Sequence, residues 1–229
     1  MYKNKKITVV IPCYNEEKGL YETKKLIPNF VDNILVVCNN CSDNSKEVAL
    51  KLNMIVVEES LKGYGYAYKK GFSNLPENTD IIITCDADGT YPMDNIKEIL
   101  DEIIENNIDF VSGSRFPLRK NESMNKLNKI GNWGLTLWFN ILCLSKIKDS
   151  QSGMWIFNKN FLSDIKLEAN NMTFSEEIKM EAVLKKNIKF KEINIGYNKR
   201  TGKSKLNAVK DGFENLFFLF KKRFDLIKH

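Results

Sequence analysis

Five short apolar runs rich in β-branched residues alternate with helix-patterned segments through the first half of this chain. That alternation leaves few folds open. Ile7-Thr8-Val9-Val10-Ile11, closed by Pro12, reads as a strand buried on both faces. Residues 34–37, 54–57, 81–84 and 109–112 read the same way. Between them, residues 16–27, 42–52, 66–72 and 94–105 carry helical periodicity, the first with Asn15 as its N-cap. Such strand–helix repeats predict an α/β fold: a mostly parallel central sheet with helices on both faces. The second half is less regular, with helices over 125–144 and 174–186, strands over 153–157 and 190–195, and a last helix over 206–227.

At 229 residues the chain suffices for one well-buried domain, and no Pro/Gly/Ser-rich linker divides it. The expected organisation is one catalytic domain over 1–205 and a C-terminal amphipathic basic helix over 206–229. A net charge of +6 suits an anionic partner such as a sugar diphosphate, a lipid phosphate or a membrane surface. The absence of a zinc finger, an RNP-type aromatic motif or a dense Arg stripe argues against nucleic acid. Five cysteines, an odd number, and no signal-peptide pattern point to a reduced, cytoplasmic setting. Cys38-x-x-Cys41 lacks a second ligand pair at zinc spacing, so the cysteines read as small core or loop residues. No segment reaches the roughly 20 apolar residues that span a bilayer. Any membrane association is therefore expected to be peripheral, at the cytoplasmic face.

Ligands of parallel sheets bind beyond the carboxyl ends of the strands. There the sequence gathers Asn15 and Glu16 after the first strand, Asn39 and Asp43 after the second, Asp86 and Asp88 after the fourth, and Arg115 after the fifth. Alternation in an extended segment turns Asp86 and Asp88 to the same side. A hard divalent cation takes a few oxygen ligands of this kind and completes its shell from water and phosphate. Such an ion neutralises charge developing on a departing nucleotide. The plainer reading is a polar turn closed by Gly89. Pro12 ends the first strand and sets Asn15 and Glu16 near a helix N-terminus, where amides meet an anion or a ring edge.

Six segments occur in a fixed order: Ile11-Pro12-Cys13-Tyr14-Asn15-Glu16, Asn39 to Asp43, Gly63-Tyr64-Gly65, Asp86-Ala87-Asp88-Gly89, Gly113-Ser114-Arg115-Phe116 and Ser150-Gln151-Ser152-Gly153. Together they resemble the family-2 glycosyltransferases of GT-A fold, especially the branch similar to dolichol-phosphate mannosyl- and glucosyltransferases. The resemblance implies an inverting, metal-dependent transfer of a sugar from a UDP- or GDP-sugar to an acceptor, first of all a polyprenyl phosphate. It implies that Pro12, Tyr14, Asn15, Glu16, Asn39, Asp43, Lys62, Gly63 and Ala87 surround the donor nucleotide. Asp86 and Asp88 would hold Mg²⁺ or Mn²⁺ with the donor diphosphate. Arg115, Arg200, Lys203 and Lys205 would meet phosphate groups of the donor or the acceptor. The chain departs from the family in having Cys38 and Asn39 where two acidic residues are common, and Thr90 and Tyr91 where lipid-phosphate members often have Gln and His.

Glu176 and Glu177 stand where many relatives place a base for a hydroxyl acceptor, which would then be a glycan. A phosphate acceptor, with a second pKa of about 6, needs no base. The competing reading is a helix start, with Ser175 as the cap and both glutamates favouring the first turn. In the last helix Leu206, Val209, Phe213, Leu216, Phe217, Phe220, Phe224 and Ile227 recur at helical spacing beside Lys221-Lys222-Arg223. That pattern suits a membrane interface, the domain's own core, or a second protomer. Two other functions compete with sugar transfer. A nucleotidyltransferase would carry a Gly-rich basic loop after the first strand, which Pro12 to Glu16 is not. A non-catalytic binder of sugar nucleotides would have no need to keep Asp86, Asp88 and Arg115 together.

Overall fold

The computed structural model describes residues 1–118, 124, 126–202 and 208–227. Its elements alternate as β1 (Ile7–Cys13), α1 (Glu17–Leu26), β2 (Asn33–Asn39), α2 (Ser45–Lys51), β3 (Ile55–Glu59), α3 (Tyr64–Ser73), β4 (Ile81–Thr84), α4 (Ile96–Glu105) and β5 (Phe110–Ser114). Then follow α5 (Lys126–Cys143), β6 (Trp155–Asn158), a 3₁₀ turn over Lys159–Ser163, α6 (Phe174–Leu184), β7 (Phe190–Asn194) and α7 (Ala208–Ile227). The strands form one seven-stranded sheet in the order β3-β2-β1-β4-β6-β5-β7. All pairings are parallel except those of β6, which runs antiparallel between β4 and β5.

Continuous apolar strands need cover on both faces, and alternate side chains supply it. Ile7, Val9 and Ile11 of β1 join Leu20 of α1, Val48 of α2 and Ile99 and Ile103 of α4 on one face. Val10 of β1 and Leu35 and Val37 of β2 join Tyr68 of α3 and Phe174 and Ile178 of α6 on the other. Each such side chain, once fully buried, contributes roughly 1.5–3 kcal/mol. A smaller cluster of Phe139, Cys143, Met180 and Leu219 ties α5 and α7 onto α6.

The mostly parallel, doubly covered sheet expected from the sequence is thus present, with β6 as its one reversed strand. Two capping assignments are corrected. Asn15 takes φ +54° and leaves the position flanking α1 to Glu16, because its side chain is engaged with the loop after β2. Helix α6 already begins at Phe174, so Ser175 lies inside its first turn rather than before it. The last helix is described from Ala208; residues 206 and 207 lie outside the described residues.

Candidate active site

At the carboxyl ends of β1, β2 and β4 lies a cavity of about 280 Å³. Pro12, Tyr14 and Glu16 line it from the end of β1, Asn39 from β2, Lys62 and Gly63 from the loop before α3, and Asp86, Ala87 and Asp88 from the end of β4. Arg200 closes it from the loop after β7. Asn39 shapes the wall: its Oδ1 accepts from the Gly63 amide at 2.9 Å and its Nδ2 donates to the Leu61 carbonyl at 2.6 Å. That holds Lys62 over Tyr14, with Nζ 4.4 Å from the ring centroid and 3.0 Å from the phenol oxygen. An aromatic face with a cation beside it suits a flat base and its phosphates.

The acidic pair forms the floor. Tyr64 donates its hydroxyl to Asp86 Oδ1 at 3.1 Å. Asp88 Oδ1 accepts from the Thr90 hydroxyl at 2.6 Å and the Thr90 amide at 3.0 Å. Burial, with the Asp88 charge next to it, pushes the Asp86 carboxyl up to about 7. Two hard oxygen donors whose joint ionisation is this unfavourable fit a divalent cation, which would relieve their repulsion. Among the described residues no group of three or more His, Cys, Asp or Glu gathers as a ligand set. The remaining ligands would have to come from diphosphate oxygens and water. Arg200 meanwhile bridges Asp88 Oδ2 at 3.0 Å and Glu16 Oε1 at 2.9 Å. Its loop is sewn to the acidic turn by Thr201 N–H donating to the Asp88 carbonyl at 3.0 Å and Asn198 N–H to that of Thr90 at 2.9 Å. Gly202 in this loop has φ +90°, a conformation side-chain-bearing residues avoid.

A second cavity, of about 470 Å³, adjoins the first, and Met172 and Asp211 line both. Its walls are the apolar flanks of α5 and α7, and its polar end is Arg115, Gln151 and Tyr197. Arg115 is held there by Asp149, with Nε 2.7 Å from Oδ2 and Nη2 2.9 Å from Oδ1, and its guanidinium carbon lies 5.3 Å from the Tyr197 ring centroid. The nearby Arg115 charge holds the buried Asp149 carboxyl below the usual carboxylate range, against the opposing effect of burial. Behind this pair Lys179, fully buried on α6, donates to the Asp149 and Ser150 carbonyls at 3.0 and 2.8 Å and fixes the turn carrying Gln151. At Gly153 in the same turn a Cβ would fall 2.4 Å from the Tyr64 hydroxyl, so only glycine lets this turn approach Asp86.

The residues singled out from the sequence divide into three groups. Pro12, Tyr14, Glu16, Asn39, Lys62, Gly63, Asp86, Ala87, Asp88 and Arg200 share the first cavity, and Arg115 stands in the second. Asn15 and Asp43 fasten loops instead: Asn15 Oδ1 accepts from the Ser42 amide at 2.7 Å, and Asp43 Oδ2 from the Glu17 amide at 3.2 Å. Glu176 and Glu177 are fully buried and line neither cavity. Glu176 Oε1 accepts from Ser150 and Gln151, and burial pushes its carboxyl up to about 8. Glu177 Oε2 accepts from the Glu168 and Ala169 amides at 2.9 and 2.8 Å, and its Oε1 receives Lys222 of α7 at 3.0 Å. That leaves Glu177 fastening α7, rather than facing a substrate. Lys203 and Lys205 lie outside the described residues. The sequence reading missed Tyr64, Asp149 and Asp211. Tyr64 was signalled by its flanking glycines; Asp149 sits 34 residues from Arg115 with no local pattern joining them.

Residues 8–165 match the family model described as Glycosyl transferase family 2. The chain is 30% identical over 223 residues to the low-salt glycan biosynthesis hexosyltransferase Agl6 of Haloferax volcanii, covering 93% of this chain and 52% of that protein. It therefore spans about half the length of that relative. It is 31% identical over 208 residues to the dolichyl-phosphate hexose transferase of the same organism, covering 90% of this chain and 89% of that one. Among solved structures, glucosyl-3-phosphoglycerate synthase of Mycobacterium tuberculosis, in complex with Mn²⁺, UDP and phosphoglyceric acid, aligns with a TM-score of 0.75 at 15% identity. The alignment covers 96% of this chain and 79% of that one, and it establishes the GT-A fold. With the family model spanning more than half of its length, the chain belongs to glycosyltransferase family 2.

Proposed function

We propose that this glycosyltransferase moves a sugar from a UDP- or GDP-sugar to a polyprenyl phosphate, inverting the anomeric centre, with Mg²⁺ or Mn²⁺ held at Asp86 and Asp88. The observation that carries the reading is the pair of adjoining cavities, one with an acidic floor and the other apolar with an arginine at its polar end. Relatives support it: one is named a dolichyl-phosphate hexose transferase, and the glucosyl-3-phosphoglycerate synthase structure holds Mn²⁺ with UDP.

In this reading Tyr14, Asn39 and Lys62 hold the nucleoside, and Arg200 turns to the diphosphate. A divalent cation at Asp86 and Asp88 supplies charge neutralisation for the departing nucleotide. Arg115, kept in place by Asp149, orients the acceptor phosphate beside the anomeric carbon. Catalysis then rests on positioning and fixed charge. A phosphate oxyanion needs no base, which agrees with the burial of Glu176 and Glu177 away from both cavities. Helices α5 and α7 expose Trp133, Phe217 and Phe224, together with Leu127, Ile130 and Phe213 at the rim of the second cavity. With Lys210 and Lys221 nearby, they suit the cytoplasmic surface of a membrane carrying the lipid acceptor. Among the described residues no helix is long and apolar enough to cross a membrane. Family membership sets aside the nucleotidyltransferase reading.

The test is transfer by the purified chain, with Mn²⁺, from a panel of UDP- and GDP-sugars to a short polyprenyl phosphate or to hydroxyl-bearing glycans, read by mass spectrometry. A glycosyl-phospholipid product is expected. Transfer confined to hydroxyl acceptors would overturn the acceptor assignment.

A further inference from the structure

Three of the five cysteines meet where β1 and β2 end, and all five are free thiols. Cys13 and Cys38 are register partners across the parallel pair, on the face that carries Ile11 and Val36. Cys41 completes the group from the loop after β2. Its Sγ donates to the Cys13 carbonyl at 3.3 Å, which sets the Cys41 sulfur against the Cys13 backbone. Cys13 and Cys38 are buried, whereas Cys41 is half-buried and reaches solvent. Cys13 also belongs to the wall of the first cavity, between Pro12 and Tyr14.

We propose that Cys41 and Cys13 are a peroxide-sensitive thiol pair whose oxidation to a disulfide reshapes the nucleoside wall of the first cavity. Cys41 is the attacking sulfur. It is the accessible one of the three, and the thiolate it forms on losing its proton is the nucleophile. Its thiolate attacks one oxygen of hydrogen peroxide; the O–O bond breaks, hydroxide leaves, and Cys41 becomes a sulfenic acid. The Cys13 sulfur then attacks the Cys41 sulfur. The S–S bond forms as the S–OH bond breaks, and the departing hydroxide takes the Cys13 proton as water. In sum two thiols and one peroxide give one disulfide and two waters. The bond removes the hydrogen bond from Cys41 to the Cys13 carbonyl and turns the Cys13 side chain toward the loop that starts at Asn40. Tyr14, the next residue, moves with it, so nucleotide affinity falls.

The test uses the full chain, freed of reductant and treated with a small excess of hydrogen peroxide. Non-reducing peptide mapping is expected to find Cys13 joined to Cys41, with the loss of two hydrogen atoms. Affinity for UDP or GDP, by calorimetry, is expected to fall at least ~tenfold and to return with dithiothreitol. Cys41→Ser should keep its affinity through the same treatment, and Cys38→Ser should still form the bridge. A bridge to Cys38, no bridge at all, or an equal loss of affinity in Cys41→Ser would overturn the proposal. The mapping reads the thiol pair whether or not either nucleotide binds, so a wrong donor assignment is separately visible.

Discussion

Arg200 Nη1 sits 3.0 Å from Asp88 Oδ2, so a guanidinium stands on the acidic turn that is proposed to hold a cation and a diphosphate. Among the described residues its buried Nε has no hydrogen-bond partner, which leaves donor capacity for a phosphate oxygen. Charge-assisted hydrogen bonds are worth about 1.5–3 kcal/mol. Arg200→Met is therefore expected to weaken UDP or GDP by roughly 10–100-fold while leaving the uncharged nucleoside nearly unaffected. Calorimetric titration of both ligands checks this. Equal loss for nucleoside and nucleotide would place Arg200 in the fold rather than at the phosphates.

The Arg115–Asp149 pair is buried on both sides, at 8% and 0% side-chain exposure. Removing one partner strands the other charge away from water, which typically costs about 4 kcal/mol. Asp149→Asn is expected to lower stability by that order and to release Arg115 from the second cavity. Urea unfolding measures the first effect, and the KM for the acceptor measures the second.

Lys222 reaches Glu177 at 3.0 Å and Glu181 at 2.9 Å, fastening α7 to α6. In Lys222→Met the buried Glu177 loses its cation and Glu181 keeps only Lys185, at 3.4 Å, so α7 is expected to open. Hydrogen exchange should speed up in α7 and the second half of α5 while the amides of β1 and β4 stay protected. Uniform loss of protection would mean that α7 does not open as a unit.

Glu176 supplies a pH dependence. Its carboxyl is pushed from an ordinary 4.5 up to about 8 by burial. Between those values the native protein keeps a proton that the unfolded chain has lost, so this group's contribution to stability falls as pH rises through that window and levels off above it. The slope is at most ~1.4 kcal/mol per pH unit. Glu176→Gln removes it. The stability of the variant relative to the wild type is expected to increase from pH 5 to pH 8, as denaturant titrations at several pH values would read, with roughly the slope given above. A constant difference would contradict the assignment.

The sequence carried the strands and the polar rim because both are local. A β-branched run such as residues 7–11 marks a strand by itself, and Asp86 and Asp88 follow β4 directly, in the turn that reaches the first cavity. It did not carry the direction of β6: Trp155-Ile156-Phe157 is apolar whichever way it runs, and only pairing to β4 and β5 decides. The same limit hid what Glu177 does. At a helix start two glutamates read equally well as dipole partners or as catalytic groups, and the residue that settles it, Lys222, lies 45 positions away. Asn15 and Asp43 were legible as polar rim residues, but rim polarity does not separate a side chain that faces a ligand from one that ties two loops together.

The acidic pair is tested most directly by nucleotide binding with and without Mn²⁺, in the wild type and in Asp88→Asn. Asparagine keeps an oxygen for the Thr90 amide, so the turn is expected to stay folded. In the wild type Mn²⁺ should tighten UDP or GDP by at least ~tenfold, and in Asp88→Asn that gain should vanish. An undiminished Mn²⁺ gain in folded Asp88→Asn would show that the metal and the diphosphate are held elsewhere.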